Sequence, residues 1–172
     1  MWLILLGLMV PSGDSYQKIG LVPSRHRLAM CKLFAEDSDW LEVSQWEAAQ
    51  NSFVLPHEVV AHVASLVEWP KVEVMFVCGA DLLVRLRGYL QILLKYGIVC
   101  VNRPDASLED FFRYNEEIQK SADKNRLLML DNWESSDMSS TKIRTRVAKE
   151  QSVDGMTHPK VIQYIHEHHL YR

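Results

Sequence analysis

Cysteine is scarce in this sequence. Cys31, Cys78 and Cys100 form no CxxC pair and have apolar neighbours. That excludes a disulfide-stapled scaffold and predicts buried, reduced thiols in an intracellular protein, cytoplasmic or nuclear. Dense basic runs are missing as well. With 19 Lys and Arg against 22 Asp and Glu the formal net charge is −3, which gives no reason to expect a nucleic-acid partner. No apolar run is long enough to span a bilayer, so no membrane partner is expected. The nearest, in "MWLILLGLMVPSGD", has no basic residues ahead of it, and Pro11, Ser12, Gly13 and Asp14 read as a turn rather than a cleavage site. The expectation there is a buried strand. Internal repeats and low-complexity tracts are also lacking, and 172 residues with 48% hydrophobic and 24% charged suit one ordinary domain.

What the sequence does have is alternation. Strand-like apolar runs occur at "LILLGLMV", "WLEV", "KVEVMFVC", "GIVCV" and "RLLML", three of them nearly continuous, as strands covered on both faces must be. Helical stretches lie between them. One is expected from about Ser24 to Glu36, and one after Pro56 with Val59, Val63, Leu66 and Val67 on one face. A third follows Asp81, a fourth starts at Ser107 with Leu108, Phe111, Phe112 and Ile118, and a fifth starts near Ser140. The last begins near Pro159 and buries Val161, Ile162 and Ile165. Such alternation predicts an α/β fold, Rossmann-like, with a mostly parallel sheet and helices on both faces.

Two segments carry chemistry. In "MSSTKIRTR", Ser139 or Ser140 suits a helix N-cap, with Ile143 and Val147 giving that helix an apolar face. Backbone N–H groups at a helix start, joined by hydroxyls, Lys142 and Arg144, suit phosphate oxygens; a capped surface helix with solvated cations is the plainer alternative. In "VMFVCGAD" a strand ends at Cys78, Gly79 lets a backbone approach a ligand, and Asp81 opens a helix, where ligands sit in parallel α/β sheets. A tight turn with an N-cap explains that pair equally. His166, His168 and His169 invite a metal, but no Cys or acidic residue at ligand spacing completes a site, so none is assigned.

Taken together the segments resemble the nicotinamide (or nicotinate) mononucleotide adenylyltransferases, most closely the eukaryotic branch. "VPSGDSYQKIGLVPSRHRLAMC", "SDWLEVSQWEAAQ", "CGADLL", "YGIVCVNR", "SSTKIR" and "VIQYIHEHHLY" follow that family's order and cover most of the chain. The resemblance implies a single nucleotidyltransferase domain over residues 1–172. It implies an enzyme of NAD biosynthesis that moves an adenylyl group from ATP to the mononucleotide, with Mg²⁺ held mainly by the phosphates. Ser140, Thr141, Lys142, Ile143 and Arg144 would cradle the triphosphate, with Lys142 and Arg144 neutralising charge in the reaction. Gly79, Asp81 and Arg103 would border the adenosine. Tyr16, Lys18, Trp46, Glu47 and Phe53 would form the mononucleotide site, Phe53 standing where the family stacks a Trp on the nicotinamide.

The sequence also departs from that family. Its first strand, Gly-Ser-Phe-Asn-Pro-type phosphate loop and first helix have no counterpart here. The fold is therefore expected to be N-terminally incomplete, and turnover by these residues alone to be very low. A connection carrying a Leu-Trp pair is replaced by "LLVRLRGYLQILLKYG", where Tyr89 is the aromatic at hand. The alternative function is a non-catalytic relative that binds a nucleotide or a protein partner. Self-association is left open.

Overall fold

The structure, a computed structural model, describes residues 3–102, 126–131 and 138–172. The helix expected from Ser107, with Arg103 and Trp133, lies outside them. The described chain packs as two compact units, Met1–Val54 with Met138–Arg172, and Leu55–Asp137.

In the first unit, β1 (Gly7–Met9) pairs in parallel with β2 (Leu41–Val43), Leu8 lying opposite Glu42, and α1 (Ser24–Ala35) makes the crossover. The expected buried strand at the start is much shorter than its apolar run. Leu3 and Ile4 are 80% and 71% exposed and belong to no ladder. The reason is local: the Ser38 hydroxyl accepts hydrogen bonds from the backbone N–H groups of Trp40 and Leu41, turning the chain just ahead of β2. Gly7 donates to the Trp40 carbonyl, and among the described residues the ladder has no rung before it.

Helices α5 (Ser140–Ala148) and α6 (Pro159–Glu167) complete this unit. Val147, Val153, Val161, Ile165 and Leu170 form its core, with Met30 and Leu33 of α1 against them. The period-3.6 reading of the last helix was sound: Val161 and Ile165 are buried and Ile162 half-buried. Pro159 occupies the first helical position, and Lys160 reaches Glu36 at 2.9 Å and Asp37 at 3.1 Å beyond the end of α1.

Among its described residues the second unit has a three-stranded sheet in the order β3 (Phe76–Gly79), β4 (Ile98–Asn102), β5 (Leu127–Asp131), parallel throughout. Cys78, Cys100 and Met129 lie side by side across it. One face, carrying Cys78, Ile98, Cys100 and Leu127, packs against α2 (Pro56–Ser65), α3 (Ala80–Arg85) and α4 (Leu90–Leu93) through Val60, Leu83, Leu90 and Leu93. In α2 the buried position is Val60, while Leu66 lies past the helix end and is exposed. The helix stops at Ser65, so the expected apolar stripe loses its last turn. The parallel pairing expected from strand–helix alternation is therefore present, divided among the described strands into a two-stranded and a three-stranded ladder.

Candidate nucleotide site

The start of α5 resolves which serine caps it. Ser139 has extended backbone and its Oγ accepts the Lys142 N–H at 3.1 Å, so Ser139 is the N-cap. Ser140 and Thr141 thus fall in the first turn, both exposed. Arg144, one turn on, donates to Ser140 Oγ at 3.2 Å and to Thr141 Oγ1 at 3.1 Å. Ile143 packs toward the core and anchors the helix from behind. The result is a surface cluster of hydroxyls and a guanidinium at the positive end of a nine-residue helix, the chemistry that phosphate oxygens match.

The loop that carries Tyr16 and Lys18 comes near Arg144 at Gly20. Gly20 has φ +81°, a conformation open to glycine, and a Cβ there would stand 3.9 Å from Arg144 Nε. The segment carrying Tyr16 and Lys18 therefore runs up against the cationic end of "SSTKIR". A cavity of about 260 Å³ opens beside it, lined among others by Asp14, Tyr16, Lys18 and Arg27. Tyr16 stacks on Phe53 with ring centroids 5.7 Å apart and planes 27° apart, so the two aromatics expected at the mononucleotide are neighbours.

Trp46 and Glu47 lie at the entrance to a 3-10 turn (Glu47–Ala49), where the Trp46 carbonyl accepts the Gln50 side-chain amide at 2.8 Å. Glu47 is 7% exposed and does not line the cavity. Its carboxylate accepts hydrogen bonds from the Ser12 hydroxyl and the Gly13 N–H; burial pushes its pKa up, and these donors with the nearby Arg27 charge oppose that. Glu47 thus props the turn leading into Tyr16.

Arg27, in the first turn of α1, is a cation that the residue pattern would place in solvent. It is instead largely buried, and donates to the carbonyls of Ser12, Gly13 and Val22. Nothing in "SRHR" separates Arg27 from the exposed Arg25, because that depends on which chain segment folds over it.

Gly79 and Asp81 belong to the second unit. Gly79 caps α3 with extended backbone, and Asp81 sits in the first turn rather than at the cap, 3.7 Å from Arg85. Arg103 lies outside the described residues. Tyr89 stacks on His57 at 5.0 Å. His26 meets the Tyr164 hydroxyl at 3.0 Å and packs beside His168.

Comparison with known proteins agrees with this geometry. The profile of the cytidylyltransferase-like family matches residues 5–146. A nicotinamide/nicotinic acid mononucleotide adenylyltransferase of Arabidopsis thaliana is 31% identical, over 98% of this chain and 76% of its own. One from Oryza sativa subsp. japonica is 30% identical over 98% and 73%. Among solved structures, Plasmodium falciparum nicotinic acid mononucleotide adenylyltransferase complexed with APC superposes with a TM-score of 0.69 at 17% identity, covering 97% of this chain and 82% of that one, which shows a shared fold. The same parallel α/β frame, the "SSTKIR" helix start and this degree of identity lead to one conclusion: the chain belongs to the nicotinamide/nicotinic acid mononucleotide adenylyltransferase family, within the cytidylyltransferase-like group.

Proposed function

We propose that this chain catalyses adenylyl transfer from ATP to nicotinamide or nicotinate mononucleotide, giving NAD or its deamido form and pyrophosphate. The observation that carries the reading is the approach of Gly20, two residues past Lys18, to Arg144, whose guanidinium joins the hydroxyls of Ser140 and Thr141 at the start of α5. A phosphate acceptor and a polyphosphate donor would need such adjoining groups. In this reading a mononucleotide phosphate oxygen attacks the α-phosphorus of ATP, the bond from that phosphorus to the bridging oxygen breaks, and pyrophosphate leaves with the electron pair. No covalent enzyme intermediate is required.

The residues contribute by position and charge. Ser140 and Thr141 donate hydroxyls to the triphosphate, and Arg144, with Lys142, offsets charge as pyrophosphate departs. Ile143 holds their helix against the core. Gly79, Asp81 and Arg103 are assigned to the adenosine. Tyr16, Phe53 and Trp46 bound the mononucleotide ring, Lys18 faces its phosphate, and Glu47 supports them from below. The α5 start offers hydroxyls and cations rather than carboxylates, so Mg²⁺ fits as an ion carried by the ATP phosphates, where it would screen their charge. We read all 172 residues as one nucleotidyltransferase domain.

The test is calorimetric titration with ATP–Mg²⁺ beside a coupled assay for the dinucleotide. Arg144→Ala should weaken ATP binding by about 1.5–3 kcal/mol through loss of a charge-assisted contact. Equal affinities would remove Arg144 from the site. Binding of ATP–Mg²⁺ with no binding of the mononucleotide would instead favour the non-catalytic relative that binds a nucleotide.

A further inference from the structure

One guanidinium closes the loop that carries Tyr16 and Lys18. Arg27, near the start of α1, has a side chain only 12% exposed. Its Nη2 donates to the Ser12 carbonyl and, at 3.2 Å, to that of Gly13; its Nη1 donates to the Val22 carbonyl and lies 3.4 Å from Asp14 Oδ1. Ser12–Gly13 and Val22 are the two ends of the segment, so a single planar fork spans its neck in the manner of an Ω-loop clasp. Packing reinforces the clasp, because a Cβ at Gly13 would come within 2.9 Å of the Glu47 carbonyl oxygen. Between the ends the loop has few ties of its own, such as Lys18 N–H to the Tyr16 carbonyl at 2.8 Å. Arg27 Nε is buried without a hydrogen-bond partner, so the group sits there despite an unsatisfied donor.

We propose that Arg27 is a positioning residue for the mononucleotide: by joining Ser12–Gly13 to Val22 it sets the loop on which Tyr16 and Lys18 are presented. The inference rests on the function proposed above. It assigns Arg27 no contact with the reacting phosphates. A lysine cannot replace it, since one ammonium cannot span both ends with the fixed geometry of two guanidinium nitrogens.

The experiment compares the full chain with Arg27→Gln and Arg27→Lys by two readouts. One is calorimetric affinity for nicotinamide mononucleotide and, separately, for ATP–Mg²⁺. The other is the rate of tryptic cleavage at Lys18–Ile19 in the absence of ligand, relative to cleavage at Lys95. Both variants should bind the mononucleotide about tenfold or more weaker while the ATP affinity changes by less than about threefold. Both should be cut at Lys18 about tenfold faster relative to Lys95. If Arg27→Gln fails to fold, Arg27→Lys decides. Equal losses of both ligands, or an unchanged Lys18 cleavage ratio, would overturn the proposal. A wild type that does not bind the mononucleotide would sink the proposed function instead, and the cleavage ratio would then decide alone whether Arg27 holds the loop.

Discussion

Two carboxylates show how much single residues do beneath this site. Glu47 is buried with its hydrogen bonds committed to Ser12 and Gly13. Glu47→Ala leaves both donors without their acceptor, and should cost about 1–3 kcal/mol in urea unfolding. Asp14 has a different task. Pro23 precedes α1 and cannot cap it with a side chain, and Asp14, ten residues upstream, takes the Ser24 N–H at 2.6 Å and the Ser24 hydroxyl at 2.8 Å. The Ser24 hydrogen bonds, with Arg27 nearby, hold the Asp14 carboxyl below the ordinary aspartate range. A carboxylate lowered on folding adds stability above its unfolded pKa and loses it as pH falls through the folded one. Asp14→Asn should therefore be less stable than wild type at neutral pH. The gap should close only on acidification past the ordinary aspartate range, and melting temperatures measured against pH would show it. A gap unchanged down to the acid limit would refute the role.

At the scale of elements, α5 is the one on which the proposed chemistry depends. Its N-cap is Ser139, not the neighbouring Ser140. Ser139→Ala should cost about 1 kcal/mol of stability, within the 0.5–2 range for lost caps. Ser140→Ala should cost clearly less in the same urea titration, since Ser140 caps nothing. Reversed costs would mean that the helix starts one residue later. The sheet of the second unit depends on its helical cover in another way. Leu93 of α4 has no exposed surface, and Leu93→Ala should lose about 2–5 kcal/mol by leaving a cavity under β4.

For the whole molecule the telling fact is that the two buried clusters share no residue. Each unit thus has its own core to protect its amides. Hydrogen exchange on Leu93→Ala should show protection falling first within residues 55–102, while amides around Val161 and Ile165 keep theirs longer. A uniform loss across the chain would show that the two clusters open as one.

The sequence by itself determined the element order, the parallel α/β class, the apolar face of α6, the phosphate-suited start of α5 and the family. These are local patterns: periodicity, capping residues and short motifs are written in neighbouring positions. It did not determine where ladders end, since the run before Gly7 is as apolar as a strand, yet its pairing among the described residues begins only at Gly7, where Ser38 turns the partner chain ahead of β2. Nor could it distinguish Arg27 from Arg25, or show that Glu47 faces a turn rather than a cavity. Those outcomes hang on which distant carbonyls and N–H groups the folded chain brings within hydrogen-bonding reach. Buried polar groups take their partners from the tertiary structure, and only there did Ser12, Gly13 and Val22 become the partners of one guanidinium.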